Sequence, residues 1–307
     1  MAEAAFNEAL RVGLIQTTVD YRQAWPSGAL PVMSAKQDEH VWKEICKAMR
    51  SFSDCEGDLR PRLVVLPELS LSRTRIDDFE HLVAGLNVIA VTGADYRLDH
   101  GTKTARNEGL VFVPAAFSRS MPSRNCTRIV FGKTYGSPKE MERLQGLSPP
   151  WSFGQDFKVY VLDCGSFGTV GVSICYDFMD AERALMYRGR IQHLFVLAYN
   201  RDLKMFGALA DALSRTVFCN VLICNTGHFG GSLVVSPCRD PTLRTLYSHS
   251  GNDLFTTQVV SLPVSDLVLA QRGDQEVIKK PRAARKFKDP PPGYNQTGQL
   301  ALREIKL

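Results

Sequence analysis

Short runs of β-branched and aliphatic residues recur along this chain, separated by stretches whose apolar residues return every three or four positions, and that alternation leaves few folds open. Strand-like runs occupy residues 11–16, 62–66, 87–92, 109–113, 128–131, 158–162, 168–174, 193–197, 220–224, 232–235 and 255–260. Helical spacing is clearest at 36–51, 75–84, 179–189 and 202–217. Eleven strands are too many for one small sheet, so the expectation is an α/β fold of two sheets flanked by helices. No internal repeat is present. The strand pattern stops near residue 272, which divides the chain into a domain over 1–272 and a basic, proline-containing tail over 273–307.

Composition narrows the function classes. With 307 residues, 44% of them hydrophobic and 22% charged, the chain can bury a large core, as an ordinary globular enzyme does. The net charge of +5 is concentrated near the end, in Lys279-Lys-Pro-Arg and Arg285-Lys-Phe-Lys. That pattern describes a tail, not a nucleic-acid-binding face, and with Pro290-Pro-Pro-Gly it reads as a solvated extension. No apolar run approaches the ~20 residues that cross a bilayer, and the first residues are acidic where a signal peptide is basic, so a cytoplasmic location away from membranes is expected. The eight cysteines include no Cys-x-x-Cys pair and the six histidines no metal-ligand spacing. His228 reads as a loop residue, and Gly165-Ser-Phe-Gly168-Thr-Val-Gly171 as a hairpin turn because its glycines precede a strand.

Reactive side chains cluster just after apolar strands, where a sheet usually presents its active groups. Thr169-Val-Gly-Val-Ser-Ile-Cys175-Tyr-Asp reads as strand, sharp turn and helix. Amide dipoles at a helix N-terminus would lower the pKa of Cys175 toward neutrality. In Leu63-Val-Val-Leu-Pro67-Glu68, proline closes a buried strand and leaves a carboxylate against apolar walls, which suits a general base. In Arg128-Ile-Val-Phe-Gly-Lys133, a lysine at a strand end can hold positive charge where an oxyanion develops. Ser137-Pro-Lys-Glu140 has capping-box spacing with proline at the first helical position. Glu140 thus has a role in starting a helix, which leaves Glu142 as the preferred catalytic carboxylate and Glu140 as its alternative.

In this order, Pro67-Glu68, Lys133 with Glu142-Arg-Leu beyond it, and Gly171-Val-Ser-Ile-Cys175-Tyr-Asp resemble the Glu, Lys and Cys motifs of the carbon–nitrogen hydrolase (nitrilase) superfamily. Leu213-Ser-Arg215 through Asn225-Thr-Gly227 and Gly230-Gly-Ser232 through Pro237 are similar to its downstream segments, so the resemblance spans roughly 9–272. It implies a four-layer αββα sandwich, a homodimer or higher homo-oligomer, and neither metal nor organic cofactor. It further implies Cys175 as nucleophile, Glu68 as general base, Lys133 as oxyanion stabiliser and Glu142 as a second carboxylate. Tyr176, through its backbone N–H, together with Glu140 and Asn200, is assigned to substrate or oxyanion contacts.

The run after Glu68 departs from the Gly-Tyr pair common in the superfamily: here it is Leu-Ser-Leu-Ser-Arg73-Thr-Arg75. Arg73, Arg75 and Arg97 are therefore candidate receivers of a substrate carboxylate or phosphate. The segment 19–35 is long and patternless, a candidate pocket wall. Tyr176-Asp177 after the cysteine resembles the amidase and carbamoylase branches more than the nitrile-cleaving ones, so an amide substrate is expected. Two rivals stand beside the hydrolase: a non-catalytic scaffold using the same fold, and a glutaminase-like ammonia donor to a synthetase partner.

Overall fold

The computed structural model describes residues 6–117, 123–273 and 287–294. Two sheets form its centre. The first contains β1 (Ala9–Gln16), β2 (Leu63–Val65), β3 (Ile89–Asp99), β4 (Thr104–Pro114), β5 (Cys126–Gly132) and the short β6 (Ser152–Phe153) beside β4. The second contains β7 (Val161–Asp163), β8 (Thr169–Ile174), β9 (His193–Ala198), β10 (Asn220–Asn225), β11 (Leu233–Val235) and β12 (Thr245–Ser248). β13 (Thr256–Pro263) returns to pair antiparallel with β1 on the first sheet. Each sheet has a parallel core, β1-β2-β3 in one and β8-β9-β10 in the other.

Period-two alternation explains how the sheets stack. In β1, Leu10, Val12 and Leu14 join Val65 and Val91 in a core shared with Val172, Ile174 and Phe195 of the second sheet. Ile15 and Val64 face the other way, onto Val41, Ile45 and Phe52 of α2 (Ala35–Ser53) and Phe79 and Val83 of α3 (Ile76–Leu86), after a short α1 (Tyr21–Ala24). Gly13 lets α2 lie close, because a Cβ there would come 2.7 Å from the Phe52 ring. α5 (Ala181–Tyr187) and α6 (Leu203–Leu213) belong to the second sheet, α4 (Pro138–Gln145) follows β5, and α7 (Ser265–Gln271) follows β13. The result is the expected helix–sheet–sheet–helix layering.

All eleven expected strands are present, with β6 and β12 added, and Gly165–Phe167 makes the turn between antiparallel β7 and β8. The tail differs from a solvated extension over 287–294. Phe287 is fully buried and bridges to Cys238, Lys288 N donates to Pro237 O, and Tyr294 packs edge-on against Phe218. Phe287 and Tyr294 join Phe218, Cys238 and the α7 residues Leu267 and Ala270 in a small apolar cluster, and the Lys/Arg runs at 279–286 lie outside the described residues. All eight cysteines are free thiols, and among the described residues no helix is long and apolar enough to cross a membrane.

His193, fully buried at the start of β9, is held neutral: its Nε2 faces Phe167 O at 3.1 Å while Nδ1 faces the Asn220 amide nitrogen at 3.1 Å. Burial pushes its pKa down from 6.5 to about 4. The unfolded chain therefore takes up a proton that the native state refuses. The stability involved is present above pH 6.5 and is lost as pH falls toward 4, roughly 3 kcal/mol in full. Urea unfolding of His193→Gln should show a shallower loss of stability across that window than the parent chain, and equal slopes would refute this assignment.

Candidate active site

Three loop segments converge at the C-terminal ends of the parallel strands. The first leaves β2 as Leu66-Pro67-Glu68, with Leu69 in the left-handed region at φ 57°. It fits only because β3 carries glycine at 93: a Cβ there would lie 2.4 Å from Glu68 Cα, 2.5 Å from Leu69 N and 2.6 Å from Pro67 O. Gly93 N donates to Pro67 O, and Gly93 O accepts from Ser70 N and Leu71 N, so the turn carrying Glu68 is bonded to β3 on both sides.

The second segment leaves β5 with Lys133 and enters α4. Ser137 caps that helix, and the capping box is complete: Ser137 Oγ accepts from Glu140 N while Glu140 Oε2 accepts from Ser137 N. The reciprocal bond turns the Glu140 carboxylate back toward the strand end, where Lys133 Nζ donates to Glu140 Oε2 at 2.6 Å and to Glu68 Oε1 at 2.8 Å. The expectation that Glu142 would be the second carboxylate is thus corrected. Glu142 is exposed two positions further round the helix, and one carboxylate, Glu140, both caps α4 and holds the lysine.

The third segment follows β8. Cys175 sits at φ 44°, a costly conformation for a residue with a Cβ, and opens a short 3-10 turn over Cys175–Met179. Asp177 in that turn accepts from Thr134 N and Tyr135 N, both at 2.8 Å, and Arg183 bonds Asp177 and Thr134 Oγ1. This clamp fastens the cysteine turn to the residues next to Lys133. The Glu68 and Lys133 charges and the Tyr199 backbone all bear on the Cys175 thiol. Cys175 keeps 9% of its surface accessible and Tyr176 37%, while Lys133 keeps 1%.

Charge in this nearly dry site is sorted by hydrogen bonds. Glu140 receives four donors: Lys133 Nζ, Ser137 N, Asn107 Nδ2 and Tyr96 Oη. Burial alone would raise its pKa, but the Lys133 ammonium and these donors hold it below the ordinary carboxylate value. Glu68 has Lys133 and Asn107 on Oε1 besides the thiol, and burial prevails, raising its pKa. Burial opposes the charge on Lys133 too, yet the two carboxylates outweigh it and keep the amine protonated. The thiol departs from expectation. Burial and the Glu68 charge push its pKa well up, because α5 begins six residues beyond the sulfur and no helix dipole aims at it.

A search with family models returned no match for this sequence, and none of the curated proteins matches it either. Solved structures do. An amidase from Nesterenkonia sp. AN1, as a double mutant in complex with acrylamide, is 15% identical with a TM-score of 0.57, covering 88% of this chain and 97% of that one. Saccharomyces cerevisiae Nit3, a member of branch 10 of the nitrilase superfamily, is 16% identical with a TM-score of 0.61, covering 92% and 100%. The chain has the nitrilase-superfamily fold. A further variant of the Nesterenkonia amidase, 16% identical with a TM-score of 0.56 and coverage of 87% and 95%, carries the acetamide moiety of fluoroacetamide on its active-site cysteine.

Within this nitrilase fold several expected contacts are committed elsewhere. The Asn200 side chain is taken up by its own loop, donating to Asp202 O and accepting from Asp202 N. Arg73 and Arg97 both bind Glu108, and Arg75 binds Asp38, Glu39 and Asp78, so none of the three is held ready for a substrate anion. His228 pairs with Asp253 at 2.8 Å. Segment 19–35 does approach the site. Tyr21 N donates to Tyr199 Oη, and Arg143 reaches Trp25 O and Pro26 O from α4. Asn107, Tyr96, Asp177 and Gly93 were not singled out in the sequence as site residues. Only Gly93, a glycine directly after the expected strand at 87–92 and inside β3 as it forms, carried a local signal of close backbone approach. Gly93→Ala should destabilise by roughly 1–3 kcal/mol, since the displaced backbone carries Glu68 and with it the bond to Lys133. Urea unfolding checks this, and a variant as stable as the parent chain would contradict it.

Proposed function

We propose that this protein hydrolyses a non-peptide C–N bond of an amide-type substrate through a thioester on Cys175. The supporting observation is the convergence of Glu68, Lys133 and Cys175, from three remote parts of the chain, in one buried cluster. In this reading the thiol is protonated at rest, and Glu68, whose basicity burial has increased, takes its proton as the sulfur attacks the carbonyl carbon. The C–O π pair moves onto oxygen, where the Lys133 ammonium and the Tyr176 backbone N–H stabilise it.

Collapse of the tetrahedral intermediate breaks the C–N bond, and Glu68 passes its proton to the departing ammonia or amine. Glu68 then accepts a proton from water as the water attacks the thioester, and that proton returns to the sulfur when the acid is released. Glu140 stays ionised throughout and keeps Lys133 charged and in place. That the neighbour named above is an amidase supports the choice of an amide substrate, and its cysteine adduct supports a nucleophilic sulfur.

The test is ammonia release from a panel of small amides, ureido acids and nitriles. Cys175→Ala and Glu68→Gln should each fall to background, and Lys133→Met should lose at least about 100-fold, the scale of one oxyanion donor. The acid limb of kcat/KM should lie above the ordinary carboxylate range, because Glu68 must be ionised to accept the thiol proton and its pKa is raised. Unchanged turnover in Cys175→Ala would end the proposal.

A further inference from the structure

Asn107 stands in β4, on a different strand from every residue the proposed chemistry uses, and its side chain is fully buried. One nitrogen, Nδ2, lies 2.8 Å from Glu68 Oε1 and 2.8 Å from Glu140 Oε1. These contacts fix the orientation of the amide: turned over, its oxygen would face two carboxylate oxygens and repel both. The oxygen itself, Oδ1, is buried and has no partner among the described residues. A buried amide that leaves its acceptor unsatisfied while spending both N–H bonds on two acids is paying at one atom for an effect at another.

We propose that Asn107 is a positioning residue that keeps Glu68 ionised, and its carboxylate placed, for accepting the Cys175 proton; the inference rests on the hydrolase reading above. The cluster holds two carboxylates against the single ammonium of Lys133, so one negative charge has no cation to balance it. Lys133 cannot satisfy both acids from every side, and Asn107 supplies the missing donors with a neutral group. The two acids are not served equally. Glu140 has the Ser137 amide, the Tyr96 hydroxyl and Lys133 besides Asn107, whereas Glu68 has only Lys133 and the thiol. Losing the amide therefore leaves Glu140 with three donors and Glu68 with one strong one. The charged groups facing Glu68 are Lys133 and Glu140, and without Asn107 the repulsion from Glu140 acts on Glu68 without an intervening dipole.

Asn107→Leu removes the amide at nearly constant volume. Its kcat should fall about tenfold with KM little changed, and the acid limb of its pH profile should move up by about one unit, the scale of a lost hydrogen bond to a charged group. A residue that only braced the fold would lower the melting temperature and leave that midpoint in place. Asn107→Ser, too short to span both acids, should give the same upward shift if the leucine variant does not fold. An infrared titration of the protonated carboxyl band, assigned to Glu68 by its loss in Glu68→Gln, reads the same midpoint without any substrate. An upward shift of the Glu68 band in either variant supports the role even if no amide is turned over, in which case the hydrolase reading fails by itself. An unmoved midpoint in a folded variant overturns the proposal for Asn107.

Discussion

A single buried ammonium organises this molecule's candidate site. Lys133 is almost wholly removed from water, and such a charge is tolerated in an apolar interior only when it is paired. Its partners arrive from β2 and from the first turn of α4, so the pairing ties the end of the first sheet to a helix that is otherwise peripheral. Asp177 then fastens the cysteine turn of the second sheet to the residues beside Lys133. Two sheets that meet through apolar packing alone could slide by small amounts, whereas these charged bonds set their loop ends in one arrangement.

The same constraint explains why two similar acids behave differently. Both are buried and both touch Lys133, but Glu140 gathers donors from a helix cap, a tyrosine and an asparagine, while Glu68 faces a thiol. Environment separates their proton affinities, and the proposed function uses that separation, with one carboxylate moving a proton while its neighbour remains a fixed charge. The raised thiol pKa belongs to the same design. In the proposed chemistry a thiol that stays protonated at rest needs a base, and Glu68 is the carboxylate whose charge bears on it.

Much of the fold was legible because period-two and 3.6-residue patterns are local. Every strand with a strong aliphatic run was found, whereas β12, Thr-Leu-Tyr-Ser, has too few apolar positions to stand out and forms by pairing with β11. The tail illustrates the limit of composition. Lysine, arginine and proline dominate it, yet Phe287 and Tyr294 are what the body binds. In the site, Glu68, Lys133 and Cys175 were legible from position after strands. Asn107, Tyr96 and Asp177 were not, because each acts on a residue far away in sequence. The choice of Glu142 over Glu140 failed for an instructive reason: it treated a helix cap and a site carboxylate as exclusive uses, although a capping glutamate bends back toward the chain entering its helix, and here that chain carries Lys133.

The claim that Lys133 is the electrostatic keystone is tested most directly by the pH dependence of unfolding in Lys133→Met, which preserves length and removes charge. Stranding two buried carboxylates should cost about 3–5 kcal/mol at neutral pH, and the deficit should shrink as acid protonates them. A deficit below about 1 kcal/mol, or one of the same size at every pH, would contradict the account.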